Sequence, residues 1–136
     1  MTSALEKIRD DFIAIPEGER LNLLLYFSDS LPPLPDHASS LVNREVPECQ
    51  SPLSFLLEVK ENRVYIWAYA PKEAPTTRGF ASIVVQGIYG ETVENALGVP
   101  SDFPLTLGLT RLVSPLRLRG MSAFIALLKA LPLRGL

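Results

Sequence analysis

Cys49 is the chain's one cysteine, and its setting invites a chemical reading. It stands in Val46-Pro47-Glu48-Cys49-Gln50-Ser51-Pro52, a polar stretch bounded by two prolines and followed at once by an alternating apolar run. Free cysteine is among the most buried residue types and often only fills space. A proline-bounded polar loop is a poor place for such filler and a good place to present a thiol.

The residue types around it narrow what that thiol can do. A zinc or iron-sulfur site built from one chain needs several Cys or His ligands, and here there are only Cys49 and His37, twelve positions apart in an irregular segment. No metal site within one chain is expected. A cysteine protease needs an imidazole oriented by a third group, and His37, beside a proline cluster, has no recognisable partner and reads as solvated surface. Without a second cysteine the thiol cannot close an internal disulfide, which disfavours a two-cysteine redox cycle. A cysteine that receives a group and hands it on remains. Trp67 and Tyr69 read as core or partner-facing surface.

Composition limits the setting. Thirteen basic against fifteen acidic residues give a net charge of -2, no field to attract a nucleic acid backbone. At 47% apolar composition, 136 residues suffice for one core, and residues 1–136 are read as a single domain. The first residues lack the basic-then-apolar pattern of a secretion signal, and no apolar run is long enough to span a bilayer. With a lone cysteine, the expectation is a cytoplasmic protein with its thiol reduced and no membrane association.

The elements that position Cys49 are legible in outline. Ser3 and Glu6 read as a capping box for a first helix with Leu5, Ile8 and Phe12 on one face. Pro16 reads as the start of a second, with Leu21, Leu24, Leu25 and Leu31 as its stripe until Pro32, Pro33 and Pro35 end it. Asp36 to Ser51 reads as irregular. Leu53, Phe55, Leu57 and Val59 alternate, a turn falls around Glu61 and Asn62, and Val64 to Ala70 is β-branched and aromatic, which together predict a β-hairpin. Since a lone hairpin is marginal, a short extra strand and covering helices are expected, an α+β architecture. Thr76 or Thr77 is placed as the cap of a third helix with Phe80, Ile83, Val84 and Ile88, ending at Gly90. Thr92 to Gly98 reads as a helical turn. Ser114-Pro115 opens a last helix whose stripe is Met121, Phe124, Ile125 and Leu128, closed by Pro132.

At Val46-Pro47-Glu48-Cys49-Gln50-Ser51 the sequence resembles the V-P-x-C-Q-S signature of the SufE family of sulfur acceptors. Leu31-Pro32-Pro33-Leu34-Pro35 is similar to that family's proline segment, Thr77-Arg78-Gly79-Phe80-Ala81 to its K/R-G-hydrophobic helix start, and Ser114-Pro115-Leu116-Arg117-Leu118-Arg119-Gly120 to its S-P-x-R-x-x-G segment. Four blocks in order span nearly the whole chain.

The resemblance implies a short antiparallel sheet covered by helices, similar in shape to scaffold proteins of cluster assembly. It implies that Cys49 takes sulfur as a persulfide from a SufS-type cysteine desulfurase, a pyridoxal phosphate enzyme, that this chain binds no cofactor itself, and that the sulfur goes on to iron-sulfur assembly on a SufBCD-type scaffold. Arg117 occupies the family's arginine position. A cation close to Cys49 would favour the thiolate and steady a persulfide anion, and an anion near the first turn of the last helix would relieve the cost of a cation there. Arg119 inherits no role. Gly79 reads as close packing, and Glu73, which aligns with a family acid, as a surface carboxylate. Leu112 departs from the family's pattern by standing where many members have a histidine. Two other functions stay open: a regulatory module that stimulates a desulfurase without carrying sulfur, and a thiol redox sensor.

Overall fold

A computed structural model describes residues 1–136. Helix α1 spans Ser3–Ala14 and α2 spans Arg20–Asp29; strands β1, Arg44–Glu45, β2, Ser54–Lys60, and β3, Arg63–Tyr69, follow. Then come α3, Pro75–Ile88, β4, Glu91–Thr92, α4, Val93–Leu97, and α5, Pro115–Ala130. The four strands form one antiparallel sheet in the order β1-β2-β3-β4.

The hairpin falls where alternation and turn chemistry place it. Leu53, Phe55 and Leu57 point inward with Val64, Ile66 and Ala68 of the partner strand, and all six are buried. The turn has only two central residues, Glu61 and Asn62, at φ 50° and 62°. Two successive positive φ values match the right-handed twist of the flanking strands, so Lys60 pairs directly with Arg63. The expected extra strand is two strands, one on each edge and each of two residues, too short to leave any periodicity. The irregular Asp36–Ser51 segment is correspondingly more ordered than expected, holding a 3-10 turn at Ala38–Ser40 and then β1.

Three helix starts differ in detail from the sequence reading. The cap of α1 is Thr2, not Ser3. Its hydroxyl oxygen accepts from the Leu5 amide at 3.0 Å while donating to the Gly87 carbonyl at 2.7 Å, so one buried side chain caps α1 and ties it to α3. Pro16 opens a 3-10 turn at Glu17–Glu19, and α2 begins only at Arg20. Its buried side chains are Leu24, Phe27 and Ser28, whereas Leu21 and Leu25 are exposed. Helix α3 starts at Pro75, ahead of Thr76 and Thr77, because proline's fixed φ already suits a first helical residue. Arg78 holds that end in place, its guanidinium donating to the Ser28 and Ala70 carbonyls at 2.9 and 2.7 Å.

Helix α3 packs on β3, with α1 and α2 against its other side. The approach of α2 is close: a β-carbon on Gly79 would lie 2.6 Å from the Leu24 carbonyl oxygen, which confirms the packing role read from sequence. Helix α5 packs on α3 and reaches β2 through Phe124, whose ring lies 5.1 Å from that of Phe55. The opposite face of the hairpin carries Leu56 and Trp67, paired across the strands and both buried. Trp67 is flanked edge-on by His37 at 5.6 Å and Tyr89 at 5.8 Å, while Tyr69 on that face is about half exposed. His37 is therefore engaged rather than merely solvated: its Nε2 also lies 3.2 Å from Glu58 Oε1. No helix is long and apolar enough to cross a membrane.

Candidate functional site

Cys49 sits on the loop joining β1 to β2. Its base is drawn shut by sequence and geometry together: Val46 and Leu53 are both buried, and the Val46 amide donates to the Leu53 carbonyl at 3.0 Å. The Cys49 amide donates back to the Val46 carbonyl at 3.2 Å, which curls the loop over. The thiol ends up half-buried and packed against the margin of the core.

In front of it lies an open cleft of about 500 Å³, lined by Glu45, Cys49, Gln50, Ser51, Ser54 and Tyr69 among others. No lysine, arginine or histidine lines it. Burial pushes the thiol up from 9.0 to about 11, and the neighbouring Glu48 carboxylate adds to the shift. At pH 7 only on the order of one molecule in ten thousand is a thiolate in this conformation. The resting site is therefore nucleophilically quiet.

Arg117 is not coupled to the thiol as the sequence reading expected. Its backbone amide donates to the capping hydroxyl of Ser114 at 3.3 Å, which confirms the Ser-Pro helix start, but its guanidinium makes no hydrogen bond and no ion pair. Its charge does not figure among the causes that set the thiol's acidity. Helix α5 comes close to Cys49 one turn further on, at Gly120, where a β-carbon would lie 3.2 Å from the thiol sulfur. Glu73 and Arg119 are exposed and unpaired, in keeping with their surface assignment. Leu112 is half-buried against the core and serves packing.

Two contributors escaped the sequence reading. Glu48 stood next to Cys49 all along, and an adjacent carboxylate is a legible signal that a thiol will be harder to ionise. Tyr69 enters the cleft because it pairs with Ser54 across the hairpin, which follows once the register is known.

The fold and the site define a class: a small α+β protein with one half-buried thiol at the tip of a strand-connecting loop, beside an open cleft and without a base of its own. Comparison with known proteins gives the family. The family model for SufE, described as an Fe-S metabolism associated domain, matches residues 6–131. Uncharacterized SufE-like proteins from two strains of Mycobacterium tuberculosis are each 45% identical over 130 residues, 95% of this chain and 91% of theirs. A SufE-like protein 1, chloroplastic/mitochondrial, of Arabidopsis thaliana is 30% identical over 92% of this chain and 33% of its own. The solution structure of a hypothetical protein from Thermus thermophilus superposes with a TM-score of 0.86 at 32% identity, covering 99% of this chain and 96% of that one. The chain belongs to the SufE family, which gives it a role in iron-sulfur metabolism and implies a cysteine desulfurase as partner.

Proposed function

We propose that Cys49 is a sulfur acceptor: it takes persulfide sulfur from a SufS-type cysteine desulfurase in the cytoplasm, stimulates that enzyme by removing its product, and delivers the sulfur to a SufBCD-type scaffold. Residues 1–136 act as one unit in this reading. The observation that carries it is the family's cysteine signature on a clamped loop beside an open cleft.

In the transfer step the Cys49 thiolate attacks the outer sulfur of the donor's Cys–S–SH. A new S–S bond forms on Cys49, the donor's S–S bond breaks, and the donor cysteine leaves as a thiolate. The outer sulfur moves with its proton, and no external oxidant or reductant is needed. The hydropersulfide on Cys49 then loses that proton to become an anion.

A thiol held at about 11 cannot do this efficiently at neutral pH. Activation therefore requires that the loop leave its resting place, or that a cation approach it. Both are met if the loop extends into the desulfurase's cleft, where desolvation by this protein's own core ends. Arg117 carries the cation one helical turn from the loop's resting contact, and its unpaired guanidinium is available to the persulfide anion on return. Hydrogen exchange tests the extension: loop amides equally protected with and without desulfurase count against it.

The raised thiol also bears on the alternatives. A redox sensor needs a low-pKa, exposed cysteine, and Cys49 is neither. A purely regulatory module is separated by mutation. Intact-mass spectrometry after mixing with desulfurase, pyridoxal phosphate and free cysteine should show a gain of sulfur mass, reversed by reductant and absent from Cys49→Ser. Full stimulation of sulfide release by Cys49→Ser would sink the carrier reading.

A further inference from the structure

Helix α5 carries a glycine in its interior, Gly120, and it is buried. Glycine there gives up about 1 kcal/mol of helix stability relative to alanine, so its presence calls for a local reason. The reason is close approach. A β-carbon at 120 would lie 3.2 Å from Cys49 Sγ, 3.3 Å from Cys49 Cα and 3.4 Å from the Glu48 carbonyl oxygen. All three atoms belong to the cysteine loop, and two of them are not side-chain atoms that can rotate away. The interior glycines of α3 differ in kind, since Gly79 and Gly87 make room for core leucines, Leu24 and Leu5.

We propose that Gly120 is a positioning residue, the seat on which the Cys49 loop rests, and that a side chain placed there lifts the loop and releases the thiol. The functional meaning of this seat rests on the sulfur-acceptor reading, whereas the seat itself is a property of the free protein. The loop gives way and the helix does not, because the buried Leu118, Met121, Phe124 and Ile125 fix α5 in the core. The loop, by contrast, is drawn together at its base by the Val46–Leu53 bond, and beyond it Pro47, Glu48, Gln50 and Pro52 are exposed. An alanine asks the loop to move by a few tenths of an ångström, and a leucine, also a good helix former, asks for more.

The test is the rate of Cys49 alkylation by iodoacetamide as a function of pH, on the full chain, for wild type, Gly120→Ala and Gly120→Leu, with circular dichroism to verify the fold. The seat requires that Gly120→Ala stay folded, that alkylation at pH 8 rise by about threefold for alanine and, in a folded leucine variant, by about tenfold, and that the midpoint of the pH profile fall in the same order. Gly79→Ala is the control for general loosening: it disturbs α2 packing and should leave the midpoint where it was. Unchanged rates and midpoints in a folded Gly120→Ala protein overturn the proposal, as does an equal shift in Gly79→Ala. Should the leucine variant unfold, alanine alone decides. An unfolded alanine variant also overturns it, since a seat that yields is not needed for folding. No partner enters the assay, so a wild-type protein that gains no sulfur from a desulfurase would sink the acceptor reading and leave this result standing.

Discussion

Strand β2 ends in two hairpin connections, and they are built on opposite principles. At one end, Glu61 and Asn62 turn the chain with no residue to spare, both in the left-handed region, and the strand pairing runs in register up to the turn. The Asn62 carbonyl also accepts from the Val93 amide at 3.0 Å and its side chain donates to Glu94 at 2.9 Å, so the turn is stitched to α4. At the other end, Pro47–Pro52 bridge β1 and β2, tied together at the base, with Cys49 packed against the core margin and close to Gly120 of α5. The first connection is specified by backbone conformation and the second by a contact. A turn held by its own dihedral angles cannot move without unfolding, whereas a loop held by a contact can leave it, and the thiol is on the second.

The contrast can be broken first beneath β2 itself. Phe124→Ala removes the ring that supports Phe55 and is expected to cost about 3–5 kcal/mol by urea unfolding, because a fully buried aromatic leaves a cavity that collapses only in part. A loss below about 1 kcal/mol would mean the sheet does not depend on α5. At the tight turn, Asn62→Val places a β-branched residue at φ 62° and is expected to cost about 1–3 kcal/mol, while Gln50→Ala in the cysteine loop stays within about 0.5 kcal/mol. Equal losses at the two sites would erase the distinction.

Smaller effects sharpen the second end. Because the thiol is at about 11 when folded against 9.0 as its ordinary value, the unfolded chain ionises first as pH rises. The contribution is complete below pH 9 and is lost on the way to about 11. Wild type should therefore lose more stability than Cys49→Ser between pH 8.5 and about 10.5, measured by denaturant midpoint on both proteins. Parallel curves would show the thiol to be solvated after all. Glu48→Gln removes only the lesser cause of the shift, so its alkylation profile should move to lower pH yet stay above that of a free thiol, with stability within about 0.5 kcal/mol of wild type.

What could be read from the sequence follows the same division. The β2–β3 hairpin and the Ser114-Pro115 start of α5 were legible, since alternation, turn chemistry and capping act within a few residues of one another. The two-residue edge strands were not, because β1 and β4 exist only through the pairing that β2 and β3 offer them. The second helix misled because Leu21 and Leu25 lie on the helical spacing of a core stripe, while the side that α3 in fact covers is set by Leu24 and Phe27. At the site, Cys49 and the α5 segment stood out as motifs. How that segment approaches the thiol depends on how a helix from the far end of the chain docks, and the family resemblance pointed to its charge, Arg117, while its glycine drew no attention.

The chain has a single tryptophan, Trp67, covered by His37 and Tyr89 on the outer face of the sheet and absent from the lining of the cysteine cleft. That separation makes the protein its own optical gauge. Indole emission shifts to the red when the sheet's outer face comes apart, and it is blind to a loop that merely leaves its seat. Fluorescence and thiol labelling followed in one cuvette therefore tell a protein that has opened to work from one that has begun to melt.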